Sequence, residues 1–190
     1  MVDYQDDIEK CLEVLTKGGL ILYPTDTVWG IGCDATNEKA IKKIYEVKKR
    51  KSKKAMIILV ADEKDILKYV AQPDLRILDF LEQTTKPTTV VYKGVIGLAE
   101  NLANKDGTIA VRICKDEFCR LLIRRFRRPV VSTSANISGQ TTPLNFNQIP
   151  AEIKNAVDYI VKYRQDELDT TSASSVVKWN KDGSLRVIRE

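Results

Sequence analysis

The sequence predicts an α/β fold: a single domain built on a mixed sheet with flanking helices. Three observations carry that prediction. Short apolar or β-branched runs alternate with segments of helical periodicity along the whole chain. Its 190 residues suffice for one sizeable core, or at most two small ones. No linker, internal repeat or low-complexity tract divides residues 1–190, which are therefore expected to form one unit.

Each element has its own signal. Residues 5–17 place Ile8, Cys11, Leu12 and Leu15 at helical spacing, and Gly18-Gly19 supplies a stop. Leu20-Ile21-Leu22-Tyr23 reads as a buried strand ended by Pro24, and residues 25–32 as an irregular loop of hydroxyls and glycines. Asn37 is placed to cap a helix with the apolar face Ala40, Ile41, Ile44, Tyr45 and Val47, which runs out into the basic segment 48–54. A buried strand is expected over 55–61, helical segments on both sides of Pro73, and strands at Thr88–Tyr92 and Thr108–Ile113. An amphipathic helix follows at about 115–126, and Pro129-Val130-Val131 leads into a second hydroxyl-rich loop, 132–139. A helix near 151–156, a strand at 157–161 and a hairpin pairing 174–179 with 184–189 across Asn180-Lys181-Asp182-Gly183 complete the chain.

Composition limits the chemistry. The chain has no histidine, which removes Ser-His-Asp and Cys-His nucleophiles, His-bearing zinc sites and imidazole acid–base catalysis. Carboxylates, hydroxyls, cations, backbone amides, a thiol or a bound metal remain. Cys11, Cys33, Cys114 and Cys119 contain no C-x-x-C pair and sit in apolar company, so they read as reduced core cysteines of a cytoplasmic protein. The acidic N-terminal residues lack the apolar run of a secretory signal. The longest apolar stretch, residues 56–61, is too short to span a bilayer, so no membrane association is expected.

The net charge of +5 is unevenly distributed. Residues 39–54 carry +8 and residues 112–128 carry +5, leaving −8 for the rest. This pattern fits either a localised anion-binding face or two solvated helix flanks. Three polar loops (25–32, 48–54 and 132–139) adjoin apolar strands, and ligands of open α/β sheets bind where such loops converge. Gly30-Ile31-Gly32 lacks the later glycine of a dinucleotide fingerprint, and no G-x-x-x-x-G-K-[ST] is present.

The motifs themselves resemble a family. Residues 23–32, Tyr-Pro-Thr-Asp-Thr-Val-Trp-Gly-Ile-Gly, are similar to the Y-P-T-[DE]-T-x-Y-G-L-G opening of the YrdC-like threonylcarbamoyl-AMP synthases. Lys48-Lys49-Arg50 resembles their K-x-R, Ala110-Val111-Arg112-Ile113 their V-R-[VIM], and residues 132–139 their S-x-S-A-N-x-S-G. Ser174-Ser175-Val176-Val177 and Ile188-Arg189 resemble the closing S-T-V-V and I-L-R. The blocks stand in family order over residues 20–190.

That resemblance implies a YrdC-like domain with a twisted open mixed sheet. The implied activity is condensation of L-threonine, bicarbonate and ATP, with Mg²⁺, into threonylcarbamoyl-AMP and pyrophosphate. The product serves N6-threonylcarbamoylation of adenosine 37 in ANN-reading tRNAs, with a downstream threonylcarbamoyl-transferase complex as recipient. A carbamate formed on the threonine amine attacks the α-phosphate, so the nucleophile is already anionic and positioning and charge neutralisation suffice. Lys48 and Arg50 are the implied catalytic cations. Thr27, Arg112 and Ser134 would hold threonine, with Arg112 on its carboxylate. Arg50, Lys54, Thr108, Asn136, Ser174 and Arg189 would contact ATP, and Trp29, in place of tyrosine, would pack on substrate.

The sequence departs from the family in places. Lys49 stands where glycine is usual, Ser175 and Lys178 replace Thr and Asp, and residues 86–90 lack the glycine of P-G-P-x-T. These residues also contain no counterpart of the extra C-terminal domain of longer relatives. A YciO-like paralogue acting on another substrate shares the architecture. A protein binding tRNA or double-stranded RNA through its basic segments is the alternative from a different class, although those segments lack interleaved aromatics.

Overall fold

The alternating pattern resolves into nine strands and six α-helices in the computed structural model, which describes residues 4–50, 56–168, 173–180 and 184–190. In chain order these are α1 (Gln5–Thr16), β1 (Ile21–Tyr23), β2 (Gly30–Asp34), α2 (Glu38–Val47), β3 (Ile57–Val60), α3 (Glu63–Tyr69), α4 (Arg76–Gln83) and β4 (Thr88–Lys93). Then follow β5 (Thr108–Ile113), α5 (Glu117–Phe126), β6 (Val130–Ser134), α6 (Ala151–Asn155), β7 (Tyr159–Ile160), β8 (Ser175–Trp179) and β9 (Leu185–Arg189). All nine strands join one mixed sheet in the order β7-β1-β2-β6-β3-β5-β4-β8-β9. Pairs β1/β7, β3/β5 and β4/β8 are parallel, and the other five are antiparallel.

The helices cover the sheet with the faces their periodicity marks. Ile8, Cys11 and Leu15 of α1, Ala40, Ile41 and Ile44 of α2, and Phe118, Leu122 and Ile123 of α5 are buried. Each large apolar side chain so enclosed contributes roughly 1.5–3 kcal/mol. Asn37 caps α2 as expected, its Oδ1 accepting from the Ala40 amide. All four cysteines are buried and free. Asp7 is buried too, and its carboxylate accepts from the Tyr159 hydroxyl and the Lys162 and Tyr163 amides, tying α1 to the segment after β7. No described helix is long and apolar enough to cross a membrane.

Both hydroxyl-rich loops are shorter than expected. Residues 30–34 form β2, so the first loop ends at Trp29, and β6 continues through Ser134, so the second begins at Ala135. Glycines hid β2 from the sequence pattern, yet close packing explains them. A Cβ on Gly32 would stand 2.6 Å from the Tyr23 ring and 3.0 Å from the Val131 carbonyl. Strand β2 is squeezed between β1 and β6, which leaves no room for a side chain there. The β8–β9 hairpin forms as expected, with residues 181–183 of its turn outside the described residues.

Candidate active site

A cleft runs across the sheet from β2 and β6, past β3 and β5, to the β8–β9 hairpin. Its lining includes Thr27, Arg50, Arg112, Ser134, Ser174 and Arg189, so six sequence-predicted site residues converge on one cavity of about 190 Å³. Gly30, Met56, Ser132, Thr133, Thr142 and Ala173 also line it, and the sequence reading gave them no role. Gly30, Ser132 and Thr133 lie in the quoted motifs and Ala173 directly precedes one. Thr142 arrives by the fold alone.

Arg112 forms the floor. It is 3% exposed at the C-terminal end of β5. Its Nη1 donates to Thr27 Oγ1 at 3.2 Å, and Nη2 lies 2.9 Å from Asp26 Oδ1 in an ion pair without hydrogen-bond alignment. Thr25 Oγ1 donates its single hydrogen to the Val28 carbonyl at 2.8 Å. The 3.0 Å contact between the Thr25 and Thr27 hydroxyls is therefore donated by Thr27. With that hydrogen committed, Thr27 offers the cleft an acceptor only.

Ser134 ends in the same state. Its Oγ donates to Asn136 Oδ1 at 2.5 Å, leaving lone pairs toward the cleft. Asn136 lies beneath it, 6% exposed, with its amide donating to the Gln140 and Ile137 carbonyls. Asn136, expected to contact nucleotide, has its side-chain polar atoms engaged by Ser134, Ile137, Gln140 and Lys48.

Lys48 and Arg50 part company. The backbone after α2 explains why: the Lys49 amide donates to Glu46 O and the Arg50 amide to Tyr45 O, the paired bonds of a Schellman turn. Such a turn needs a left-handed residue between them, and Lys49 has φ +49°. Glycine, usual for the family at that position, adopts this conformation without strain. Lys49→Gly is expected to stabilise the fold by about 1 kcal/mol, as left-handed strain is relieved and part of the gain is offset by a freer unfolded chain. A rise of roughly 2–4 °C in the thermal midpoint would check it.

The turn sends Lys48 away from the cleft. The residue is 3% exposed, and its ammonium donates to the carbonyls of Ser134 (2.5 Å) and Asn136 (2.7 Å). Lys48, expected to meet phosphate, fastens the β6 loop from below through these bonds. Burial, and then the nearby Arg50, lower its pKa to about 8. Arg50 swings into the cleft, where Nε and Nη1 are buried with no acceptor among the described residues. A buried donor left unpaired costs about 1–3 kcal/mol, so this guanidinium is poised to take up an anion.

On the far wall, Arg189 Nε and Nη2 donate to the Ser174 carbonyl at 3.2 and 2.9 Å, and the Ser174 and Thr89 hydroxyls are 2.8 Å apart. Thr108 is not part of the cavity lining. It sits four residues from Arg112 along β5, roughly 13 Å away, and its hydroxyl is held by Asp106 and Asn104. Trp29 is also elsewhere than expected: its indole is 6% exposed and packs on Phe146, ring centroids 4.9 Å apart. Lys54 lies outside the described residues.

The second basic segment is largely neutralised. Arg120 and Arg124 share Asp62, Arg125 pairs with Glu9, and Arg128 with the buried Asp34. Only Arg112 of that segment lines the cleft. Among the described residues no cluster of three or more Cys, Asp or Glu side chains could hold a metal ion. Guanidinium groups line the cleft and repel cations, so its residues do not fit a resident Mg²⁺. A divalent ion would enter as part of the nucleotide, on phosphate oxygens.

A mixed sheet carrying three arginines and several hydroxyls in one cleft defines an anion-handling α/β protein. The chain belongs to the Sua5/YciO/YrdC family, whose model, described as "Telomere recombination", matches residues 13–190. It is 29% identical over 184 residues to the threonylcarbamoyl-AMP synthase of Pseudoalteromonas translucida, covering 95% of this chain and 97% of that protein. The crystal structure of P. abyssi Sua5 complexed with L-threonine superposes with a TM-score of 0.86 at 22% identity, over 100% of this chain. The chain spans 55% of that longer protein. E. coli YciO superposes almost as well, with a TM-score of 0.83 at 22% identity, over 98% of this chain and 89% of that one.

Proposed function

We propose that this chain is a threonylcarbamoyl-AMP synthase, a nucleotidyltransferase that joins L-threonine, bicarbonate and ATP into threonylcarbamoyl-AMP and pyrophosphate. The observation that carries the reading is the single cleft shared by Arg112, Thr27 and Ser134 at one end and Arg50, Ser174 and Arg189 at the other. The first group suits an amino acid. Arg112 supplies N–H donors for the carboxylate, while Thr27 and Ser134, their own hydrogens committed, accept from the amine and hydroxyl of threonine. The enclosed volume is below the roughly 300–1,000 Å³ of pockets that swallow a drug-sized ligand. It fits the amino acid and leaves a triphosphate to run along the mouth.

Chemistry then needs only alignment. Bicarbonate takes up a proton and loses water to give carbon dioxide, threonine's amine adds to it and releases a proton, and the resulting carbamate oxygen attacks the α-phosphate as pyrophosphate departs. Arg50, with unspent donors in the same cleft, neutralises the charge that gathers at the α-phosphate. Arg189 and Ser174 steady the nucleotide. Lys48 and Asn136 act from behind by holding the Ser134 segment in place. The 190 residues would work as one YrdC-like domain in the cytoplasm, passing the adenylate to a tRNA threonylcarbamoyl-transferase complex.

Purified protein is expected to release pyrophosphate only when ATP, bicarbonate and L-threonine are all present. Release at background level from folded protein would overturn the reading. RNA binding through the basic segments is the weaker alternative, because four arginines of α5 and its C-terminal end are already held by carboxylates.

A further inference from the structure

We infer that Asp26 is a positioning residue for the amino-acid end of the cleft, fixing the Arg112 guanidinium so that its remaining N–H groups meet the substrate carboxylate. The inference rests on the synthase reading above. Asp26 does not line the cavity and touches no reacting atom. Its side chain is 10% exposed, with Oδ1 2.9 Å from Arg112 Nη2, and the Lys115 amide donates to Oδ2 at 3.4 Å. Together with Thr27 on Nη1, it grips Arg112 through both terminal nitrogens.

Two physical points favour positioning over a stability role. A buried ion pair is a poor source of stability, because desolvation offsets most of the attraction and well-packed apolar residues do as well. This pair lies under a polar cleft with one partner facing the cavity, where fixed orientation is useful. Second, a guanidinium has five N–H donors in a rigid fork. With Nη1 hydrogen-bonded to Thr27 and Nη2 against the Asp26 carboxylate, the Arg112 plane is fixed at both ends, so its unspent donors are aimed before substrate arrives.

The proposal predicts a sign opposite to simple electrostatics. Asp26 is negative and lies close to where the substrate carboxylate would sit. If charge alone mattered, Asp26→Asn would remove a repulsion and tighten L-threonine binding. If orientation matters, the same change loosens Arg112 and weakens binding.

Calorimetric titration of the full chain with L-threonine, without ATP, separates these cases. L-threoninol, which lacks the carboxylate, serves as the control ligand, and ATP affinity as a second control. Wild type is expected to prefer L-threonine over L-threoninol. Asp26→Asn should bind L-threonine at least about tenfold more weakly, L-threoninol and ATP nearly as before. Tighter L-threonine binding, an unchanged preference, or an equal loss for all three ligands would each overturn the inference. Should Asp26→Asn fail to fold, Asp26→Glu, which displaces the carboxylate by one methylene, is read the same way. Wild type that binds no L-threonine at all would instead remove the synthase reading itself.

Discussion

Arg112→Ala is expected to reduce ATP-, bicarbonate- and threonine-dependent pyrophosphate release by about 10²–10³-fold, the scale of removing one aimed donor from an anionic site. It is also expected to destabilise the fold by about 3–5 kcal/mol, because the Asp26 carboxylate is left buried without its partner. Denaturant titration at neutral pH measures the second effect independently of the first. The double variant Arg112→Ala with Asp26→Ala removes both charges, so it should regain most of the lost stability and none of the activity. If it stays as unstable as the single variant, packing around the Arg112 stem, and not the stranded carboxylate, dominates. If Arg112→Ala retains turnover, the amino-acid end of the cleft is wrongly assigned.

The next largest effect concerns Lys48. Its pKa is lowered from 10.5 to about 8 by burial, with Arg50 adding to the shift. Between these values the folded protein has released the proton and the unfolded chain still holds it. The unfolded state therefore binds more protons, and stability rises with pH across the window. Below about pH 8 both states are protonated and the contribution is constant. Relative to Lys48→Met, wild type should thus gain about 3 kcal/mol of stability on going from pH 8 to pH 10.5. Paired denaturation curves at several pH values cancel the tyrosines and cysteines, whose titration both proteins share. A gap that stays flat across that range would mean that the carbonyls of Ser134 and Asn136 hold the ammonium charged despite its burial.

Much of this molecule was legible before folding. The periodic residues of α1, α2 and α5 announced helices whose marked faces are buried, and Asn37 announced the start of α2. Strand β2 was not legible, because glycines at 30 and 32 carry no strand signal until Tyr23 and Val131 press against them. At the site, motif order named six residues that line one cleft, but not how their contacts divide. Two cations separated by one residue look alike in a sequence. The left-handed turn at Lys49 makes one a fastener of the β6 loop and aims the other into the cleft. Thr108, four residues before Arg112 on the same strand, lies roughly 13 Å from it, a separation that a list of motif residues does not convey.

By itself, then, the sequence determined the α/β class, the exclusion of imidazole chemistry and the set of polar residues available, since these depend on residue types and periodicity. The tertiary structure alone decided which of those groups still have unspent donors and acceptors. Asp26, Asn136 and Asp62 consume the bonding capacity of particular neighbours, and in the pairs Asp26–Arg112 and Asp62–Arg124 the two partners lie far apart in the chain. What remains free for a ligand is settled by hydrogen-bond geometry in space, and linear order carries no record of it.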